Sequence, residues 1–127
     1  MNVIITGAGI GGLVSALCLD AKGHKVEIYE KAETLSELGA GVQLSPNATR
    51  VLNYLDLFED LEPYIFEPKS FQFLNYLSGK VITERKLGEA IKNDFNSPNY
   101  DIHRADLQRV LLNKIKAVSY THLTLPT

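Results

Sequence analysis

Three glycines spaced as G-x-G-x-x-G (Gly7, Gly9 and Gly12) follow the apolar run "VIIT" and open the run "IGGLVSALCL". Glycines at this spacing suit one kind of chemistry, which is holding a pyrophosphate against backbone N–H groups. Gly7 permits a tight turn out of a strand. Gly9 lets the backbone approach a phosphate with no Cβ in the way, and Gly12 lets a helix lie close on the strand. Ile10 and Gly11 join the candidate contacts, because a helix N-terminus carries about half a positive charge and unsatisfied donors. Glu30 stands 18 residues beyond Gly12, at the end of "KVEIYE", where a carboxylate accepts hydrogen bonds from ribose hydroxyls. The same charge repels a 2′-phosphate, which disfavours NADP at this site and leaves FAD or NAD.

Glycines also mark simple turns, so the motif counts only in context. Residues 3 to 6 are mostly β-branched and suit a strand buried on both faces. Ile10, Leu13, Val14 and Leu17 recur at helical spacing, and Gly23 sits where a left-handed cap would end that helix near Lys22. "KVEIYE", 25 to 30, alternates as a second strand, giving a β-α-β unit. Further on, "GAGVQLS" (39 to 45) predicts a short extended piece. Ser45 as N-cap and Pro46 at the first helical position predict a second helix to about Leu55. "FQFLNYLSGKVITER" (71 to 85) predicts a hairpin, and 88 to 101 is rich in turn formers. Leu107, Val110, Leu111 and Ile115 predict a helix over 104 to 117 with one apolar face. The expected fold class is α/β, a Rossmann-like unit with an added antiparallel hairpin.

The chain has 127 residues, 45% hydrophobic and 22% charged, with a net charge of −2. That is enough for one domain, and it offers no electrostatic reason to expect nucleic acid or an anionic membrane as partner. One cysteine, Cys18, makes neither an internal disulfide nor a metal site, and a reducing cytoplasm fits. No signal peptide or membrane span is read in the sequence.

Three blocks, "GAGIGGLVSALCLDAKGHKVEIYEK" (7 to 31), "GAGVQLSPNATRVLNYLDL" (39 to 57) and "HRADLQRVLL" (103 to 112), resemble the flavin-dependent aromatic hydroxylases. These are the single-component FAD monooxygenases of the salicylate-hydroxylase type. The first block is shared with many FAD enzymes, and the second and third are more particular to the hydroxylases. The resemblance spans residues 2 to 116. It implies FAD as cofactor, NAD(P)H as reductant, and a small aromatic-type substrate hydroxylated with O₂. By position it implies that Gly7, Gly9 and Gly12 cradle the FAD pyrophosphate and that Glu30 takes the adenosine ribose. Lys31 stands where the family usually has Arg, a weaker geometry for the same contact. Gly41 and Val42 lie in the segment passing the flavin side, and Arg104 reaches FAD from the start of its helix. Without the resemblance, an arginine at a helix start is more often solvated or structural. Where the family commonly has Leu-Gly-Leu, this chain has Leu55, Asp56 and Leu57, so a local adjustment is expected there.

No catalytic side chain and no metal ligand set is identified within residues 1 to 116. His103, with no nucleophile or carboxylate spaced with it, reads as structural or surface, His24 as exposed, and Cys18 as a packing residue. Tyr54, Tyr64, Tyr76 and Tyr100 read as core or hairpin packing. The last ten residues, "VSYTHLTLPT" (118 to 127), resemble a translated transposon-end sequencing adapter, so they are expected to be a non-native tail outside the fold. Residues 1 to 117 then read as the N-terminal part of an FAD-binding domain, with a substrate-domain hairpin starting at about 69 to 86. Two alternatives stand beside this reading: another FAD oxidoreductase, such as an oxidase or desaturase, or a non-catalytic ADP-binding or inert truncated fragment. Alone, the chain is expected to be inactive, and residues 1 to 116 are expected neither to fold cooperatively nor to bind FAD, since the sheet lacks its remaining strands and leaves an edge and the apolar face of the 104 to 117 helix uncovered.

Overall fold

The computed structural model describes residues 1–32, 40–118 and 121–124, the last stretch by its backbone apart from Thr124. Strand β1 (Asn2–Thr6), helix α1 (Ile10–Asp20) and strand β2 (Lys25–Tyr29) make the expected unit, with β1 and β2 parallel from Asn2 opposite Lys25 to Thr6 opposite Tyr29. Gly23, at φ +77°, ends α1 as foreseen. Its N–H donates to Asp20 O at 2.8 Å and the His24 N–H to Leu19 O at 3.1 Å, the paired bonds of a left-handed cap.

β1 departs from expectation. It lies at an edge of its sheet, and Ile4 is 67% exposed, so the strand is covered on one face only. An apolar run states that a strand can be buried, while the number of layers around it decides whether it is.

Ser45 caps helix α2 (Pro46–Tyr54) with its backbone, its carbonyl accepting from Ala48 and Thr49 N–H, and its hydroxyl makes no cap bond. The helix stops at the Leu-Asp-Leu departure. Asp56 adopts φ +54°, and its N–H donates to Asn53 O while that of Leu57 donates to Leu52 O. The stop therefore survives without glycine, using a residue whose short polar side chain tolerates the left-handed region better than most.

A second sheet runs antiparallel in the order β3 (Gly41–Leu44), β7 (Tyr100–His103), β4 (Ile65–Phe66). The short helix α3 (Phe58–Leu61) and one 3₁₀ turn (Glu62–Tyr64) lead into β4. The foreseen hairpin is β5 (Ser70–Leu74) with β6 (Val81–Lys86), turned through Gly79 at φ +67°. The stretch expected to be turns holds helix α4 (Glu89–Phe95) as well as β7.

Helix α5 (Arg104–Ala117) presents the foreseen stripe, and Leu107, Val110, Leu111 and Ile115 are all buried. They join Leu13 and Leu17 of α1, Val26 and Ile28 of β2, and Leu57 in one core. In the whole chain this helix face is covered, in part by residues 121–124, which lie against α5. Thr49 and Ser97 are buried, and Thr49 Oγ1 lies 2.9 Å from Ser97 Oγ while donating to Pro98 O at 2.8 Å.

Residues 121–124, expected to stand outside the fold, form β8 (Thr121–Thr124), parallel to β2 on the side away from β1. The Glu30 N–H donates to Thr124 O at 3.0 Å. An open strand edge offers backbone donors and acceptors to any β-prone run, whatever its side chains. Residues 119–120 and 125–127 of the tail lie outside the described residues.

Candidate cofactor site

The site starts where β1 ends. Gly7 takes φ +98°, a turn that L side chains resist, and its N–H donates to Tyr29 O at 2.7 Å, tying the turn to the end of β2. α1 begins at once, with the Leu13 N–H on Gly9 O at 3.0 Å and no side chain capping Gly9. The first-turn donors of α1, on Ile10, Gly11 and Gly12, have no acceptor inside the helix.

The three glycines differ as the spacing implied. A Cβ on Gly12 would collide with Gly7 O and crowd Gly7 C at 3.2 Å, whereas one on Gly9 or Gly11 would meet no protein atom within 4 Å. Gly12 therefore serves helix–strand contact, and the space above Gly9 is left for something else.

Glu30 ends β2 with its carboxylate in this turn. Oε2 accepts the Ala8 N–H at 2.7 Å and Oε1 the Ala32 N–H at 2.8 Å. The Ala8 bond, then the Ala32 bond, and a smaller effect of Lys31 hold its pKa below the ordinary glutamate value against partial desolvation. Each oxygen retains lone-pair capacity for a further donor, so the carboxylate can brace the loop and accept ribose hydroxyls together. An open cleft of about 500 Å³ is lined by Thr6, Gly7, Tyr29, Glu30 and Lys31, at the carboxyl ends of parallel strands where doubly wound folds bind ligands.

The other expected residues gather at a second place. Gly41 is opposite His103 and Val42 opposite Ile102, and the Arg104 N–H donates to Ala40 O at 2.9 Å. Gly41 also borders a hollow of about 230 Å³ with Tyr64, Phe66 and Asp101. Arg104 opens α5, and four residues along, about 6 Å on the helix axis, Gln108 Nε2 donates to Ala8 O at 3.1 Å. α5 thus joins the two groups.

Gln108, 3% exposed, and Ala8, fully buried, were missed in the sequence. The available signal was a carboxamide set beside Leu107 in an otherwise apolar stripe. His103 is exposed and Cys18 packs half-buried against the core, as read. His24 is half-buried rather than exposed, its Nδ1 3.4 Å from the terminal amine. Tyr100 is buried against Phe58, with ring centroids 5.5 Å apart, but Tyr54 and Tyr76 are 60% and 90% exposed and pack in neither core nor hairpin. Tyr54 ends α2 and Tyr76 lies in the turn between β5 and β6, where no neighbouring layer covers either ring.

Residues 5–77 match the NAD(P)-binding Rossmann-like domain. The chain belongs to that family. This Rossmann-like domain is 34% identical over 117 residues to 3-amino-4-hydroxybenzoate 2-monooxygenase of Streptomyces cremeus, an overlap of 92% of this chain and 30% of that protein. It is 37% identical over 111 residues to 3-hydroxybenzoate 6-hydroxylase 1 of Aquipseudomonas alcaligenes, covering 87% of this chain and 28% of that one. A Klebsiella pneumoniae protein solved with FAD and uric acid shares the fold with a TM-score of 0.82 at 24% identity, over 97% of this chain and 30% of its own. The Rossmann-like domain therefore spans under a third of the length of these relatives. Among the described residues, no helix is long and apolar enough to cross a membrane.

Proposed function

We propose that this chain is the ADP-gripping part of an FAD-dependent monooxygenase that hydroxylates an aromatic or similar small molecule with NAD(P)H and O₂. The observation that carries this reading is a glycine turn bare of side chains, set beside the Glu30 carboxylate at the ends of two parallel strands. The names of the sequence relatives, hydroxylases of substituted benzoates, support the substrate class.

The residues present fit FAD. First-turn N–H groups of α1 meet the pyrophosphate charge, and Glu30 takes the ribose hydroxyls on its remaining lone pairs. Lys31 stands at the same cleft, and Arg104, at the start of α5, is the further cation that the resemblance assigns to FAD. Gly41 and Val42 bring a strand end with little side chain to the flavin side. FAD, when bound, supplies the redox chemistry of oxygen activation, and these residues bind and orient it.

We propose also that residues 118–127 are a non-native tail, that the hairpin at about 69–86 opens a substrate domain, and that the parent works in the cytoplasm. Reading the gene past codon 117 tests the first two, through adapter bases or a continuing frame. The activity is tested on the protein encoded by the full frame. A yellow protein that retains FAD and oxidises NAD(P)H faster with a hydroxybenzoate is expected. A colourless protein that binds NADH and not FAD overturns the reading.

A further inference from the structure

We propose that Gln108 is a positioning residue for the pyrophosphate cradle, acting from α5 through the Ala8 carbonyl to aim the Gly9 N–H. The inference rests on the dinucleotide-binding reading of the glycine turn.

Ala8 lies between two glycines, so both peptide planes beside it are free of the steric limits that fix most loops. Each plane is instead held from outside. The plane joining Gly7 to Ala8 donates its N–H to Glu30 Oε2 at 2.7 Å, and its carbonyl, Gly7 O, lies in the place a Cβ on Gly12 would occupy. The plane joining Ala8 to Gly9 is held by Gln108 Nε2 on Ala8 O at 3.1 Å. In a trans peptide the carbonyl and the N–H point opposite ways. Holding Ala8 O toward α5 therefore turns the Gly9 N–H away from α5.

Gln108 is otherwise hard to account for. It is 3% exposed, on a helix face whose other buried residues are Leu107, Val110, Leu111 and Ile115. A buried carboxamide is penalised unless it is bonded, and a leucine there would pack without that demand. Glu30 serves the loop and the ribose together. Gln108 serves the loop alone, and this separates the two in an experiment.

The 127-residue chain is titrated with ADP and with adenosine, followed by NMR shifts, as wild type, Gln108→Met, Gln108→Glu and Glu30→Gln. Gln108→Met keeps the length and loses the donor. It should weaken ADP about tenfold, the worth of one lost hydrogen bond, and leave adenosine within about twofold. Gln108→Glu should bind ADP like the wild type while its buried carboxyl is protonated and lose affinity as pH rises through its raised pKa, because only the protonated form donates to Ala8 O. Glu30→Gln should weaken both ligands. Equal losses of ADP and adenosine in Gln108→Met, or no loss of either, overturn the proposal. If the 127-residue wild type binds neither ligand, the same titration of the protein encoded by the full frame tests the nucleotide reading, and no binding there overturns it. The Gly9 amide, on the plane that Gln108 holds, then decides the clamp: its NMR resonance should shift or broaden in Gln108→Met, and an unchanged Gly9 resonance overturns it.

Discussion

Alanine placed in turn at Gly9, Gly11 and Gly12 should give three different outcomes from one chemical change. At Gly11, inside the first turn of α1 with no protein atom within 4 Å of a new Cβ, alanine gains helix propensity worth up to about 1 kcal/mol. At Gly12 the same gain meets a collision with Gly7 O and crowding against Ile5 Cγ2 at 3.4 Å. Overpacking costs about 1–3 kcal/mol, and here the obstacle is backbone, so the upper part of that range applies and the net loss is about 1–2 kcal/mol. At Gly9 alanine is a poorer N-cap by about 0.5–1 kcal/mol, and a stiffer unfolded chain offsets about as much, so stability should hardly move. Its Cβ, however, fills the space the phosphate must enter, and ADP affinity should fall at least about tenfold. Urea and thermal unfolding of the three variants, each about 3–5 °C per kcal/mol for a chain of this size, would be run beside ADP titrations. Gly12→Ala unfolding as late as Gly11→Ala would refute the close helix–strand contact. Gly9→Ala binding ADP like the wild type would refute the cradle.

Asp56→Gly should stabilise the chain by about 0.5–1 kcal/mol, since glycine takes the left-handed cap at φ +54° without a Cβ penalty; a lowered midpoint of thermal unfolding would contradict that account. Thr49→Val should cost about 2 kcal/mol in urea unfolding, because it strips Ser97 Oγ and Pro98 O of a buried partner, and a neutral result would mean the pair is solvated. For Glu30, whose pKa is lowered by the Ala8 and Ala32 N–H groups, folding gains a contribution that is fully present above the unfolded glutamate value of about 4.3 and fades as pH falls through the lower folded one. The stability difference between wild type and Glu30→Gln should therefore shrink on acidification below about pH 4, and a difference that stays constant down that limb speaks against the two backbone bonds.

Much of the candidate site's geometry was legible in the residues, because its logic is local. Gly7, Gly9 and Gly12 act within six residues, and their distinct duties follow from what each lacks. The period of Leu107, Val110, Leu111 and Ile115 likewise announces a buried helix face before any partner is known. Residues 88 to 101 were not legible. Tyr100 and Ile102 become a strand only because β3 and β4 pair with them on either side, and no short-range pattern records partners tens of residues away. The exposure of Ile4 escaped for a related reason: it depends on how many strands and layers surround β1.

Glu30 shows where the division falls. Sequence determined that an acid follows the second strand of a glycine-rich unit, and hence that a ribose could be held and a 2′-phosphate repelled. Tertiary structure alone decided that this acid also braces the Ala8 N–H while Gln108, a hundred residues further along the chain, holds the Ala8 carbonyl. Local pattern carries the steric and capping needs of neighbouring residues. The direction of a peptide plane between two glycines is set by what packs against it, and only the folded chain brings that partner near.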